Sequence, residues 1–160
     1  MAKRLRVAVL FGGQSAEHDV SILSASNVVK ALERSKYDVV PIAITRSGQW
    51  LAVDLDGGAL QVPDGGTQLC LLPGGKGRLL AIPTAGHPHE LPAIDILFPV
   101  LHGLHGEDGS IQGLAEASGV PFAGCGILGS ATAIDKDIAK RLLREAELPV
   151  ARSITLRRGD

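Results

Sequence analysis

Apolar residues in this 160-residue chain gather into runs separated by polar, glycine-marked turns. LRVAVLF, from Leu5 to Phe11, is almost continuously apolar, as a strand covered on both faces requires. After GGQSAEHDVS a helical spacing takes over. Val20, Leu23, Val28, Ala31 and Leu32 are predicted to share its core face, with the helix running to about Ser35. YDVVPIAIT is a second strand of the same kind, so strand, helix and strand imply a right-handed parallel crossover.

Between Ser47 and Pro92 short apolar runs alternate with Gly and Pro turns, which predicts one or two hairpins or an irregular excursion on the sheet rim. AIDILFPVL returns to the core as a strand. GSIQGLAEASG then places Ile111, Leu114 and Ala115 on one face of a short helix that Gly119 can end. VPFAG is predicted as a short strand and GILGSATAI as a short helix. Asp135 should cap the helix KDIAKRLLREAE, and VARSITL reads as strand-like. The pattern predicts an α/β fold, an open, mainly parallel sheet with helices on both faces. Residues 1–133 form that domain, and 134–160 read as the start of a second one, since one helix, one strand and the tail RRGD cannot close a core.

With 45% hydrophobic and 21% charged residues, the chain can bury a core and is not compositionally disordered. A net charge of −1 and 3% aromatics give no electrostatic or stacking basis for a nucleic-acid partner or an acidic membrane. The basic start MAKRLR precedes an apolar run too short for a signal or membrane segment, which suggests a soluble, cytoplasmic protein. Cys70 and Cys125 lack CxxC or histidine spacing and read as free thiols.

Chemistry concentrates after two strands. In GGQSAEHDVS, Glu17 and Asp19 open the helix, with Ser15 as the expected N-cap; acids there suit an ammonium ligand better than a phosphate. HGLHGEDGSIQG holds two histidines, two carboxylates and four glycines directly after the strand AIDILFPVL. Both stretches follow carboxyl ends of parallel strands, the edge at which open α/β sheets bind ligands, so Glu17 and His102 are expected to face a common cavity. PGGKGR is not a phosphate-binding P-loop, because Cys70 and Gly77 occupy positions that need Gly and Ser or Thr. His87 and His89 read as exposed loop, and His102 with His105 lacks a third metal ligand, so no metal site is predicted.

These stretches resemble the D-alanine–D-alanine ligase family, whose signature HGxxGEDGxhQG (h apolar) HGLHGEDGSIQG fits at each fixed position. LFGGQSAEHDVS is similar to the family's first glycine-rich loop, and GVPFAGCGILGSATAIDKDIAKRLL to the passage into its ATP-grasp region. The resemblance implies a preATP-grasp, Rossmann-like N-terminal domain and a homodimeric, cytoplasmic ligase that uses ATP and Mg²⁺ to join two D-alanines through a D-alanyl phosphate. It implies that Glu17 binds the ammonium of the first D-alanine and that His102 orients its carboxylate, both counted as catalytic. It further implies that Val20 bounds the pocket for the methyl group and that Lys136 approaches the nucleotide. Glu107 and Asp108 are expected to pin their turn and cap the next helix. The family's nucleotide clamp, magnesium acids and substrate loop have no counterpart in this sequence, so residues 1–160 alone are expected to be inactive. A D-alanine–D-lactate ligase and a non-catalytic module for a small amino acid remain alternatives.

Overall fold

A computed structural model describes residues 3–55 and 59–156. Strands β1 (Leu5–Gly12), β2 (Tyr37–Ile44) and β7 (Ile96–Pro99) lie side by side, with β1 in the middle and parallel to both neighbours. Its residues alternate between two cores. Val7, Val9 and Phe11 pack with Ala25 and Val29 of helix α1 (His18–Ala31), while Ala8 and Leu10 join Ile111 and Ala115 of helix α2 (Ser110–Ala117). Helices therefore cover both faces of the central strand, as its unbroken apolar run requires.

The excursion is more ordered than the Gly and Pro turns suggest. Strands β3 (Trp50–Ala52), β4 (Gln68–Leu71), β5 (Leu79–Ile82) and β6 (His89–Leu91) extend the sheet outward from β2, each antiparallel to its neighbour. The result is a seven-stranded open sheet of order β6-β5-β4-β3-β2-β1-β7. It is α/β as expected, but mixed rather than mainly parallel. Short turns such as Leu72–Arg78 can only reverse the chain, whereas a parallel neighbour needs a crossover of a dozen residues or more. Leu69, Leu71, Leu79 and Ala81 complete the same core as Leu10, Ile42 and Ile44.

Several local expectations change. Helix α1 ends at Ala31, because Leu32 is extended and Lys36 donates to the Glu33 carbonyl in the turn leading to β2. Its core face is His18, Ser21, Ala25, Ser26 and Val29, whereas Val20 and Leu23 are exposed. Small residues let the helix lie close to β1, and the three polar ones are buried because backbone groups bond them, which apolar periodicity alone cannot register. VPFAG contributes one parallel bridge, Leu97 to Phe122, since Pro121 has no N–H to extend a ladder. His89 opens β6 rather than lying in a loop.

Helix α2 ends as expected. The Gly119 and Val120 amides donate to the carbonyls of Glu116 and Ala115, with Gly119 left-handed. Helix α3 (Ile127–Ile134) leads into α4 (Lys136–Glu145), where the Asp135 carboxylate accepts from the amides of Asp137 and Ile138. Residues 150–156 form no strand. Ser153 and Thr155 instead bond Arg144 and Asp137 on α4. The tail RRGD lies outside the described residues.

Candidate functional site

Strands β1 and β7 run parallel, so their carboxyl ends open on the same edge of the sheet. At the end of β1 the Gly13 amide donates to the Ile44 carbonyl at 2.8 Å, closing the chain over β2. A Cβ on Gly12 would sit 2.4 Å from that same carbonyl oxygen, and its φ of +89° is one that side chains resist. From below, the Ser21 hydroxyl accepts the Gly12 amide at 2.9 Å, and His18 donates Nδ1–H to the Gly13 carbonyl at 2.6 Å. The carbonyl can only accept, which assigns the His18 proton to Nδ1.

Glu17 occupies the N-cap position of α1 rather than its first turn, and its side chain makes no cap bond. Ser15, the expected N-cap, lies two residues before the observed one; its hydroxyl accepts from the Glu17 amide at 3.2 Å. The Glu17 carboxylate is thus held at the positive end of a helix yet keeps its oxygens out of the helix's own bonding. Asp19, in the first turn, pairs with Arg46 at 3.1 Å.

The second loop is braced from within. The Glu107 carboxylate accepts from the Gly103 amide at 2.8 Å, and Asp108 accepts from the His105 and Ser110 amides at 2.8 and 2.9 Å. These are the turn-pinning roles expected of the two acids. Burial acts to raise the Asp108 pKa, but the bonds from His105 and Ser110 outweigh it and leave the carboxyl below its ordinary value. Gln112, buried on α2, donates to the Gly106 carbonyl at 3.0 Å.

These two loops touch. Glu17 Oε2 lies 3.9 Å from where a Cβ would stand on Gly103, and Ser15 Cβ lies 3.2 Å from that point. A side chain there would press on the glycine-rich turn opposite. Next to Gly103, His102 is half-buried, and its Nε2 is enclosed with no hydrogen-bond partner. His102 lines a cavity of about 60 Å³ with Gln14, Trp50, Leu101, Leu104 and Ile111. Glu17 is not among its lining residues, so the carboxylate meets the His102 loop from outside this cavity. Leu104 forms part of the wall, whereas Ile22 packs into the core beside Phe11.

Val20 is exposed on α1. Lys136 stands apart from both loops' bonding: its Nζ donates to the Ala133 carbonyl at 3.0 Å, beside an apolar groove between α3 and α4. Among the described residues no group of three His, Cys, Asp or Glu side chains could hold a metal ion. Cys70 and Cys125 are free and exposed. The pattern of apolar residues missed the buried pair His18 and Ser21; the signal was their three-residue spacing, which puts two polar groups on one helical face.

A family model described as D-ala D-ala ligase N-terminus matches residues 6–125. The chain belongs to this family. The match contains both loops and ends at Cys125, before α3. The D-alanine–D-alanine ligase A of Brucella suis biovar 1 (strain 1330) is 60% identical over 157 residues, which are 98% of this chain and 44% of that protein. Among solved structures, the D-alanine–D-alanine ligase of Coxiella burnetii superposes with a TM-score of 0.82 at 33% identity, over 94% of this chain and 44% of that one. The VanG D-Ala:D-Ser ligase of Enterococcus faecalis reaches 0.76 at 35% identity, with the same coverage. This member of the family therefore spans less than half the length of the relatives it matches. No helix among the described residues is long and apolar enough to cross a membrane.

Proposed function

We propose that residues 1–133 are the D-alanine-binding domain of a D-alanine–D-alanine ligase, and that 134–160 begin its nucleotide-binding part. The reading rests above all on the approach of Glu17 to the Gly103 backbone at the carboxyl edge of β1 and β7. A zwitterion as small as D-alanine needs an anion at one end and a hydrogen-bond donor at the other, with backbone close between them. Glu17 takes the ammonium of the first D-alanine, and His102 orients its carboxylate and offsets its charge. Val20 bounds the space for the methyl group. Glu107, Asp108 and Gln112 hold the second loop in shape and take no proton.

ATP and Mg²⁺ find no complete site here: among the described residues no group of three His, Cys, Asp or Glu side chains could hold a metal ion, and Lys136, whose exposed Nζ gives one of its three donors to the Ala133 carbonyl, would approach the nucleotide with the others. On this reading both belong to the part of the ligase represented in the relatives beyond the matched 44%. ATP there would give its γ-phosphoryl group to the carboxylate of one D-alanine, leaving ADP, and the amine of the second D-alanine would displace phosphate to form the amide. The complete enzyme is a cytoplasmic homodimer supplying peptidoglycan precursor.

Joining residues 1–160 to the remainder of the Brucella suis enzyme tests the proposal. The hybrid should release phosphate from ATP when given D-alanine, while residues 1–160 alone should release none above background. A folded, nucleotide-binding hybrid that ignores D-alanine would overturn it.

A further inference from the structure

The mechanism proposed above uses Glu17 and His102, which lie on different loops and share no hydrogen bond in the structure. Something must fix how far apart they stand. Ser21 is fully buried on α1, and its side chain is the polar group that reaches both loops. Its hydroxyl oxygen accepts the Gly12 amide at the end of β1, and its proton goes to the Val100 carbonyl, just past β7. Val100 lies two residues before His102, and its own amide donates to the Leu10 carbonyl at 2.8 Å. On the same helix face, one turn earlier, His18 holds the Gly13 carbonyl.

We propose that Ser21 is a positioning residue, which sets the separation of the two candidate substrate groups by tying the end of β1 to the chain after β7. The proposal rests on the reading of Glu17 and His102 as the ammonium and carboxylate contacts. A hydroxyl suits the task because it accepts and donates at one atom, so one short side chain bridges a backbone donor on one loop and a backbone acceptor on the other. The buried Gly12 amide and the partly buried Val100 carbonyl both lose this partner if the hydroxyl goes. The Val100 amide stays on the Leu10 carbonyl, but the chain beyond that tie, Gly12 on one side and Gly103 on the other, is then free to shift.

The test uses isotope-labelled residues 1–160 in solution, with Ser21→Ala, Ser21→Cys and, as a control, Ser26→Ala. Ser26 is buried on the same helix but bonds only the Ile22 carbonyl within it, so its loss perturbs the helix without touching either loop. In the wild type a nuclear Overhauser contact should join Ser15 Hβ to Gly103 Hα, and the Gly12 amide should exchange slowly. Ser21→Ala should lose the contact and exchange the Gly12 amide about tenfold faster, while Ser26→Ala keeps both. D-alanine binding should weaken about tenfold in Ser21→Ala alone. Ser21→Cys keeps the volume but weakens both bonds; it should show the same changes in smaller degree, and it decides the matter if Ser21→Ala does not fold. A folded Ser21 variant with the contact and the exchange rate of the wild type overturns the proposal. Failure of the wild type to bind D-alanine would instead sink the functional reading, leaving the contact and the exchange rate to judge Ser21.

Discussion

The two halves of the sheet do different work with similar apolar content. In the parallel half, β1 is buried along nearly its whole length, and the polar residues beneath its end, His18 and Ser21, are bonded to loop backbone. In the antiparallel half, β4 and β5 bury alternate residues and leave polar or solvent-facing positions between them. All four sequence-derived site residues lie outside β3–β6. The lesson is that precision comes from strand ends enclosed on both faces, where side chains cannot drift. The meander supplies cover: its inward residues share a core with Leu10 and Ile42, so it cannot be removed without exposing the half that carries the site.

The sharpest way to break this comparison is to damage each half equally. Gly12 and Gly77 both have φ of +89°, and a Cβ would stand 2.4 Å from the Ile44 carbonyl oxygen in one and 2.0 Å from that of Ile94 in the other. Gly12→Ala and Gly77→Ala should each cost about 3 kcal/mol or more in urea unfolding, from left-handed strain plus a clash with backbone. At low temperature, where some of each variant stays folded, only Gly12→Ala should lose D-alanine binding. If Gly77→Ala loses it as well, the antiparallel half is part of the site.

Next in size is Glu17→Gln, which keeps the shape and removes the charge proposed to face the ammonium. D-alanine binding should weaken by ~1.5–3 kcal/mol, roughly ten- to a hundredfold. Glu17 is exposed and caps nothing, so the melting temperature should stay put; a fall in stability with unchanged binding would make it a structural residue. Asp108→Asn should have the reverse profile. Both carboxylate oxygens accept amides, so the Asn side-chain NH₂ must face one donor, and about 1 kcal/mol of stability should be lost at pH 7. Because the folded carboxyl lies below its ordinary value, its contribution is present above the unfolded pKa of ~3.9 and disappears as pH falls through the lower folded value. Wild-type and variant melting curves should therefore converge in acid. Curves that stay parallel there would mean that Asp108 does not act as a charged brace.

The strands of the parallel half were legible because a run such as LRVAVLF can be little else. The two candidate loops stood out because they hold more glycines and acids than an ordinary surface turn needs. Hairpin register was not, since Gly and Pro mark a reversal without saying which residues pair across it. Helix α1 shows a deeper limit. Val20 and Leu23 are more apolar than His18 and Ser21, yet the latter are buried because Gly12, Gly13 and Val100 supply partners brought there by the fold. Burial of a polar group depends on where backbone bonds end, and that is a property of three dimensions. The cavity beside His102 was equally out of reach, because its size depends on how Trp50, from the excursion, packs over Leu101 and Ile111.

The smallest expected effect compares one ion pair from each half. Arg6 and Asp38 stand directly opposite on β1 and β2, with Nη1 to Oδ2 at 2.7 Å and Arg6 mostly covered. Arg78 and Glu90 bridge the outer strands, where the guanidinium bonds Oε1 through both Nε and Nη2. That bonding holds the Glu90 carboxyl below its ordinary value and Arg78 above its own, but both groups are open to water. Geometry alone would rank the outer pair first, since it has two bonds to the inner pair's one. Screening argues the other way: an exposed pair spends its attraction against water and salt, and a partly covered pair keeps more of it. Double-mutant cycles with Arg6→Met and Asp38→Asn should give a coupling of about 0.5–1 kcal/mol that changes little at high salt. The corresponding cycle for Arg78 and Glu90 should give less, and it should fade as salt is added. A larger, salt-resistant coupling in the outer pair would show that the antiparallel half is held by its surface charges, and that its order does not derive from the core it shares with β1 and β2.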